Sequence, residues 1–512
     1  MKSPDGKTVP VWTRDVTSLS HPLPPQTIDA DVCVVGAGIA GLTTAYLLAG
    51  EGKRVVVLDE GKVGAGQTER TSAHLASAID DRFHVLEKSH GLPATRLAYQ
   101  SHALAIDTIE KISKNEEVAC DFARLDGVLF LAADESPDTI DKEFDAAVRA
   151  GVRGVLREAD LMLPAKGVGP GIRFPHQARF HPLKYLYGLA HAVEKRGGQI
   201  FVGERVTDVT GADRKKGTPA RITLEEGRTL EAECVVVATN TPAPINDWMG
   251  IYTKQASYRT YMVGIEIEPG SVPDQLYWDT GDAYHYVRIH REASGRELLL
   301  VGGEDHKVGQ GSPDTERFDR LVEWAGEYFN AHGPVVVRWS GQVQEPADGL
   351  AFIGRAPTSG DNVYVITGDS GMGLTHGTLG AILVTDLIMG RTNPWEALYD
   401  PSRRTATLEF ARENANTAFQ YKDFLTPGEV KSVDEVPAGE GALLREGLKK
   451  IACFRDEEGT LYRMSAICTH LGCIVSWNGV EKSWDCPCHG SRFDPTGRVV
   501  MGPAIADLSK EV

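Results

Sequence analysis

Residues 31–41 read Asp-Val-Cys-Val-Val-Gly-Ala-Gly-Ile-Ala-Gly. An apolar, β-branched run ends at Val35, and Gly36, Gly38 and Gly41 follow as G-x-G-x-x-G. Residues 42–49 have helical character, and a second apolar run, 54–58, ends in the acid Asp59, 18 residues after Gly41. Strand, glycine turn, helix, strand and acid form the grammar of a dinucleotide site. Gly36 permits the tight turn, and Gly38 lets the backbone approach a pyrophosphate. Gly41 allows close packing of helix on strand. The first helical residues, Ile39 and Ala40, offer free N–H groups to phosphate charge. Asp59 is the expected acceptor for a ribose hydroxyl, with Glu60 as the alternative.

Outward from this unit, residues 95–115 and 181–196 read as helices, and 199–202 and 234–238 as strands. Residues 120–175 read as short strands and turns. A more β-like region follows, with strands expected at 261–267, 284–289, 298–301 and 335–339 and a helix at 315–331. A last strand, 362–366, runs through Gly368-Asp369-Ser370-Gly371-Met372-Gly373 into a helix ending near Met389. After Arg391 the text is polar and irregular, and a boundary falls near residues 423–427. The expected division is a lead-in, 1–28, an oxidoreductase body of interleaved subdomains, 29–422, and a glycine-rich, strand-rich module, 423–512. The expected fold is α/β of Rossmann type with an interleaved mixed β-sheet substrate domain, plus a C-terminal all-β module.

The 512 residues carry 54 basic and 71 acidic side chains, a net charge of −17. That excess argues against a phosphate-backbone partner, so no nucleic acid is expected, and against docking on anionic lipid. No run approaches the length of a membrane span. The N-terminus has no signal pattern, so a cytoplasmic location is expected. Of 8 cysteines, Cys33, Cys120, Cys234 and Cys453 read as small core residues. The other four are crowded between 468 and 488. Cys468-x-His470 and Cys486-x-x-His489, separated by residues 471–485, form C-x-H…C-x-x-H. Two thiolates and two imidazoles at this spacing suit a [2Fe–2S] centre, and short Cys/His spacing also suits zinc. The extra Cys473 and Cys488, at matching places, and the Gly490-Ser491 pair favour the iron–sulfur reading.

Two resemblances extend these readings. The run 55–59, then Gly64-Ala65-Gly66-Gln67-Thr68 and Arg70-Thr71-Ser72, the strand ending Thr239-Asn240, and the late block 352–357 with 368–375 resemble FAD enzymes of the D-amino-acid oxidase superfamily. The likeness extends to the γ-glutamylputrescine oxidoreductase type and covers roughly residues 29–395. This resemblance implies FAD contacts from Gln67, Thr68, Arg70, Thr71, Ser72, Val206 and Thr239. It also implies contacts from the late block Gly371, Met372, Gly373, Leu374 and Thr375, where a helix N-terminus faces the flavin's pyrimidine edge. No cysteine lies between Cys234 and Cys453, so the late-Cys covalent flavin link of some relatives is closed to this chain. His74 is an unconvincing substitute.

The C-terminal motifs resemble the Rieske domains of cytochrome bc complexes. The likeness implies Cys468, His470, Cys486 and His489 as iron ligands and a Cys473–Cys488 disulfide. High-potential relatives have Tyr where this chain has Phe493, so one hydrogen bond to cluster sulfur is missing and a lower potential is expected.

A flavin accepts a hydride, and a Rieske cluster passes single electrons. The two together imply oxidation of an amine or amino-acid-like substrate at a C–N bond, with electrons leaving singly to an acceptor protein or small carrier. The imidazoles of His470 and His489 are the expected exit edge. The alternative is a flavin/Rieske electron-transfer module serving a partner enzyme. No second dinucleotide unit supports NAD(P)H, and no facial triad supports a mononuclear iron. Substrate-side candidates are Tyr258, His285, Arg288 and His376, with Arg259, Tyr261, Tyr284 and Trp339 nearby in sequence pattern. An arginine could clamp a carboxylate, and Tyr or Trp could wall a cationic amine. Assembly into a homo-oligomer is left open.

Overall fold

The computed structural model describes residues 6–25, 28–213, 217–243, 250–282, 284–311, 316–360, 362–405 and 407–511. The ends of the expected lead-in, residues 1–5 and 26–27, lie outside the described residues. Asp29–Val35 pairs in parallel with Val55–Asp59 on one side and Thr229–Asn240 on the other. The parallel array continues to Gln199–Val202 and Val363–Thr367. Antiparallel Phe352–Arg355 and a two-stranded extension complete an 8-stranded sheet. Its strands are near-continuous Val and Leu because both faces are covered. Helix Ile39–Gly50 is apolar nearly all round for the same reason. It packs between the sheet and helices Pro182–Lys195 and Gly373–Ile388.

The second sheet has 9 strands. It is antiparallel except where Leu276–Asp279 runs parallel to Ala123–Phe130. Its far face packs on helix Glu316–Phe329 through Tyr261, Val263, Ile289, Leu299 and Phe318. This is the mixed sheet expected from sequence. The C-terminal part is built of a 3-stranded and a 4-stranded sheet joined by turns, with a short 3-10 turn at Val433–Glu435.

Several helices escaped the sequence reading, Phe83–His90 and two longer ones among them. Pro137–Ala150 lies inside the stretch read as strands and turns. It starts where Ser136 Oγ accepts from Asp138 N at 3.3 Å and stops at Gly151 with φ of 85°. Both are ordinary helix signals. Leu408–Gln420 lies in the stretch read as irregular. Its buried side is polar: Glu413 and Gln420 are its buried residues, while Leu408 is 92% exposed. No apolar period could mark it. It holds its place through Lys307 Nζ to Glu413 Oε2 at 2.6 Å and Thr417 Oγ1 to the Cys488 carbonyl at 3.4 Å.

The lead-in is also more than a tail. Trp12 is fully buried and donates to the Thr71 carbonyl at 2.8 Å. Lys7 N donates to the Glu481 carbonyl at 3.1 Å. Lys7 and Trp12 thus join the flavin-type lobe to the C-terminal module.

A cavity shared by the two redox modules

The glycine turn performs as its spacing predicts. A Cβ on Gly41 would stand 1.8 Å from the Gly36 carbonyl oxygen, so only glycine lets the helix sit on the strand. Gly36 has φ of 110°, and a Cβ there would meet the Ala238 carbonyl at 2.5 Å. Helix Ile39–Gly50 has no side-chain cap at Gly38; Ile39 N donates to Thr68 Oγ1 at 3.2 Å, and the N–H groups that follow in the first turn are left for an anion. Asp59 braces the turn: Oδ2 accepts from Ala37 N at 2.6 Å and Oδ1 from Gly61 N at 2.8 Å. Glu60 accepts from Arg205 Nε at 2.8 Å. Both acids border the same cavity.

That cavity gathers Gly36, Gly38, Ile39, Ala40, Gln67, Thr68, Thr71, Ser72, Val206 and Thr239 with the late block Gly371, Met372, Gly373, Leu374 and Thr375. Gly41 is outside its lining, in keeping with a packing role. Arg70 borders it, but the guanidinium is committed elsewhere, to the Ser340 carbonyl at 2.6 Å and Glu481 at 3.3 Å. The uncapped helix start, the glycine cradle and the second helix N-terminus at Gly373 suit a dinucleotide that ends in an electron-rich ring.

The substrate-side candidates divide. His376 borders the cavity, with Nδ1 bound to the Asp369 carbonyl at 2.8 Å and Nε2 buried without a partner. Burial lowers its imidazole to about 4. The other three do not face the cavity. Arg288 donates to the Ala73 and Phe180 carbonyls at 2.8 and 3.1 Å and lies over Trp12, so it clamps backbone. His285 is held by Asp279 at 2.9 Å and stacks on Trp324. Tyr258 faces Lys307 and Glu413 on the helix Leu408–Gln420 side. Alternation accounts for His285, which sits between the cavity-lining Tyr284 and Tyr286; Arg288 shares a strand face with Tyr286, but its guanidinium is drawn off to backbone carbonyls. Arg259 donates to Ser340 Oγ at 2.7 Å, and Trp339 to the Arg70 carbonyl at 3.0 Å. Tyr261 meets His306 at 3.0 Å.

The C-terminal module supplies one wall. Val499, Val500, Met501, Gly502, Ala504 and Ile505 border the cavity. Arg205 spans to the Val499 carbonyl at 2.9 Å, and a Cβ on Gly502 would meet Thr241 Oγ1 at 2.7 Å. Nothing in the sequence marks this wall, because it is made by docking.

In that module two loops repeat one design. Gly472 N donates to the Cys468 carbonyl at 3.0 Å, and Gly490 N to the Cys486 carbonyl at 3.1 Å. Cys473 and Cys488 form a disulfide, with Cα atoms 6.4 Å apart. Cys468 and Cys486 are free, buried and hydrogen-bonded to each other, which draws the Cys468 thiol down and pushes Cys486 up. The Sγ atoms of Cys473, Cys486 and Cys488 lie within 4.8 Å of one another, but two of them are in the disulfide and offer no thiolate. The rings of His470 and His489 are 5.0 Å apart, and both Nδ1 atoms are buried without a hydrogen-bond partner. Burial holds these imidazoles neutral, at about 3 and about 4. Two thiols and two orphaned, neutral imidazole nitrogens are the donor set a [2Fe–2S] cluster takes.

The two histidines are not equivalent. His489 is 9% exposed and turned into the module boundary, where its carbonyl accepts from Ser257 Oγ at 3.0 Å. The next carbonyl, Gly490, accepts from Gln342 Nε2 at 3.0 Å, and Gln342 borders the cavity. His470 is half-exposed, packed edge-on against Tyr252. The expectation of a shared exit edge is therefore corrected: the docked lobe covers one imidazole.

The glycine cradle and the thiol–imidazole pair define an FAD-dependent oxidoreductase joined to a Rieske module. Residues 31–387 match the family of FAD dependent oxidoreductases, and 426–510 match the Rieske [2Fe-2S] domain. The chain belongs to that oxidoreductase family and carries that domain. It is 30% identical over 508 residues to YhfW of Bacillus subtilis (strain 168), described as a Rieske 2Fe-2S iron-sulfur protein, covering 98% of this chain and 96% of that one. It is 25% identical to γ-glutamylputrescine oxidoreductase of Escherichia coli (strain K12), over 76% of this chain and 92% of the relative. Glycine oxidase from Geobacillus kaustophilus shares the fold, with a TM-score of 0.58 at 18% identity over 73% of this chain and 99% of that one. Among the described residues no helix is long and apolar enough to cross a membrane.

Proposed function

We propose that the enzyme oxidises an amine or amino-acid-like substrate at its C–N bond and passes the electrons singly through the Rieske cluster to an external acceptor. When bound, FAD supplies two-electron hydride acceptance and the cluster supplies one-electron transfer. The substrate loses a hydride and a proton to become an imine, which water hydrolyses. The observation that carries this reading is the shared cavity: one wall is the dinucleotide cradle and another is the Rieske module.

In this reading the cavity-lining residues from Gly36 to Thr375 hold FAD, and Cys468, His470, Cys486 and His489 hold the cluster. The division is 29–422 and 423–512. Ser257 and Gln342 fix the His489–Gly490 backbone against the oxidising lobe, and half-exposed His470 offers the outward edge to an acceptor protein or carrier. His376 keeps a neutral imidazole at the cavity, positioned by the Asp369 carbonyl.

The test is anaerobic mixing of the holoenzyme with a panel of amines and amino acids, read together at flavin and cluster absorbances. Flavin bleaching followed by cluster reduction is expected. Reduction by NAD(P)H or a protein partner alone would sink this reading in favour of an electron-transfer module.

A further inference from the structure

One end of the cavity is acidic, and among the described residues no cationic side chain forms an ion pair with its carboxylates; Arg82 and Arg317 act on Asp80 and Asp305 only at longer range. Asp80, Asp305 and Asp369 border it, with Asp81 and Glu345 behind. Asp305 Oδ1 is shut off from solvent and has no hydrogen-bond partner. Asp80 Oδ2 accepts from Tyr284 Oη at 3.1 Å and lies 2.3 Å from where a Cβ of Gly371 would stand. The acidic end therefore adjoins the start of helix Gly373–Ile388. Tyr284, Tyr286 and Trp278 supply aromatic faces there, the two tyrosine rings 5.6 Å apart.

The cavity's two arginines, Arg70 and Arg205, serve Glu481 and Glu60. Nearby Arg82 donates to the Asp80 and Asp279 carbonyls, and Arg317 to the Glu304 carbonyl. Arg288 is spent on backbone. Burial holds His74 at about 3 and His376 at about 4, so both imidazoles are neutral. Buried carboxylates without a paired cation repel a carboxylate ligand and attract an ammonium group, and tyrosine faces favour the same charge.

We propose that this end of the cavity binds an ammonium group of a di- or polyamine, so the substrate is an alkyl polyamine and not an α-amino acid held by its carboxylate. The inference rests on the amine-oxidation reading above. It adds Asp80, Asp305 and Tyr284 as substrate-binding residues.

The test uses the full-length holoenzyme at pH 8 under anaerobic conditions. 1,4-Diaminobutane, spermidine, glycine and L-proline are compared by calorimetric binding and by flavin bleaching. The diamine and spermidine should bind at least tenfold more tightly than either amino acid. Asp305→Asn and Asp80→Asn should each weaken diamine binding about tenfold or more while retaining FAD absorbance. Should a variant fail to fold, the wild-type affinity ratio still decides. Tighter binding of glycine or L-proline, or an unchanged diamine affinity in both folded variants, overturns the proposal. Diamine binding without flavin bleaching supports the cation site and sinks the oxidation reading. Bleaching by amino acids alone does the reverse.

Discussion

Glu481 is the most informative residue to perturb at the boundary between the modules. It belongs to the Rieske module, yet its carboxylate lies fully buried against the oxidising lobe. Oε1 accepts from Arg70 at 3.3 Å, from Ser340 Oγ and from Thr8 Oγ1, and Oε2 accepts from Thr8 N at 3.0 Å. Arg259 stands 3.9 Å away. Burial opposes ionisation, but Arg70, Arg259 and Arg492 override it and bring the carboxyl to about 2.

Glu481→Gln keeps the shape and removes the charge. Holding the carboxyl at about 2 rather than its ordinary 4.5 corresponds to about 3 kcal/mol. Independently, breaking a buried pair from one side costs about 3–5 kcal/mol. Urea unfolding followed at the cluster's visible circular dichroism and at the flavin absorbance should give coincident transitions in the wild type. In the variant the cluster transition should move to lower urea, separated from the flavin transition by the equivalent of about 3 kcal/mol. Coincident transitions within about 0.5 kcal/mol, the usual scale of a surface substitution, would refute the view that Glu481 fastens the modules together. A depressed carboxyl stabilises the docked form above its ordinary value of 4.5, and that contribution fades as pH falls towards about 2.

Three further outcomes are expected. Phe493 is buried in the apolar cluster that contains Cys468 and Cys486, so Phe493→Tyr should raise the cluster midpoint potential, by about 60 mV if the new hydrogen bond contributes about 1.4 kcal/mol; redox titration showing no rise would count against it. Gly41→Ala drives a methyl into the Gly36 carbonyl, and the purified protein should carry well under half the wild-type FAD at a cost of about 3 kcal/mol, measured by the flavin-to-protein absorbance ratio. Burial raises Asp305 to about 7 and Asp80 to about 6. The folded state therefore binds these protons more tightly than the unfolded chain, and their stabilisation is lost as pH rises through about 6–7. 1,4-Diaminobutane should then raise the melting temperature more at pH 8 than at pH 5.5, and an equal shift at both would contradict the assignment.

The sequence made some parts of this enzyme legible and hid others for physical reasons. The dinucleotide turn and the Cys/His loops were readable because backbone sterics and ligand chemistry restrict which residues can stand there. Gly41 and the orphaned imidazole nitrogens of His470 and His489 show that restriction directly. Helix Pro137–Ala150 carried its signals in Ser136 and Gly151 and could have been found. Helix Leu408–Gln420 could not, since it is held by polar contacts to other elements. Of the substrate-side candidates His376 borders the cavity, while Arg288, His285 and Tyr258 do not: His285 lies one step from Tyr284 and Tyr286, and Arg288, two steps from Tyr286, spends its guanidinium on backbone carbonyls. Asp80 and Asp305 went unnoticed because isolated acids in sequence look like surface residues. Their meaning comes only from convergence.

The wall that residues 499–505 lend to the cavity sets an order of assembly. A chain is made from its N-terminus, so the cradle at Gly36 exists while the C-terminal segment is still unmade. During that interval the cavity stands open on the side that Val499 and Met501 later close. The last ninety or so residues thus act as a door to the cavity whose other walls the earlier part of the chain supplies.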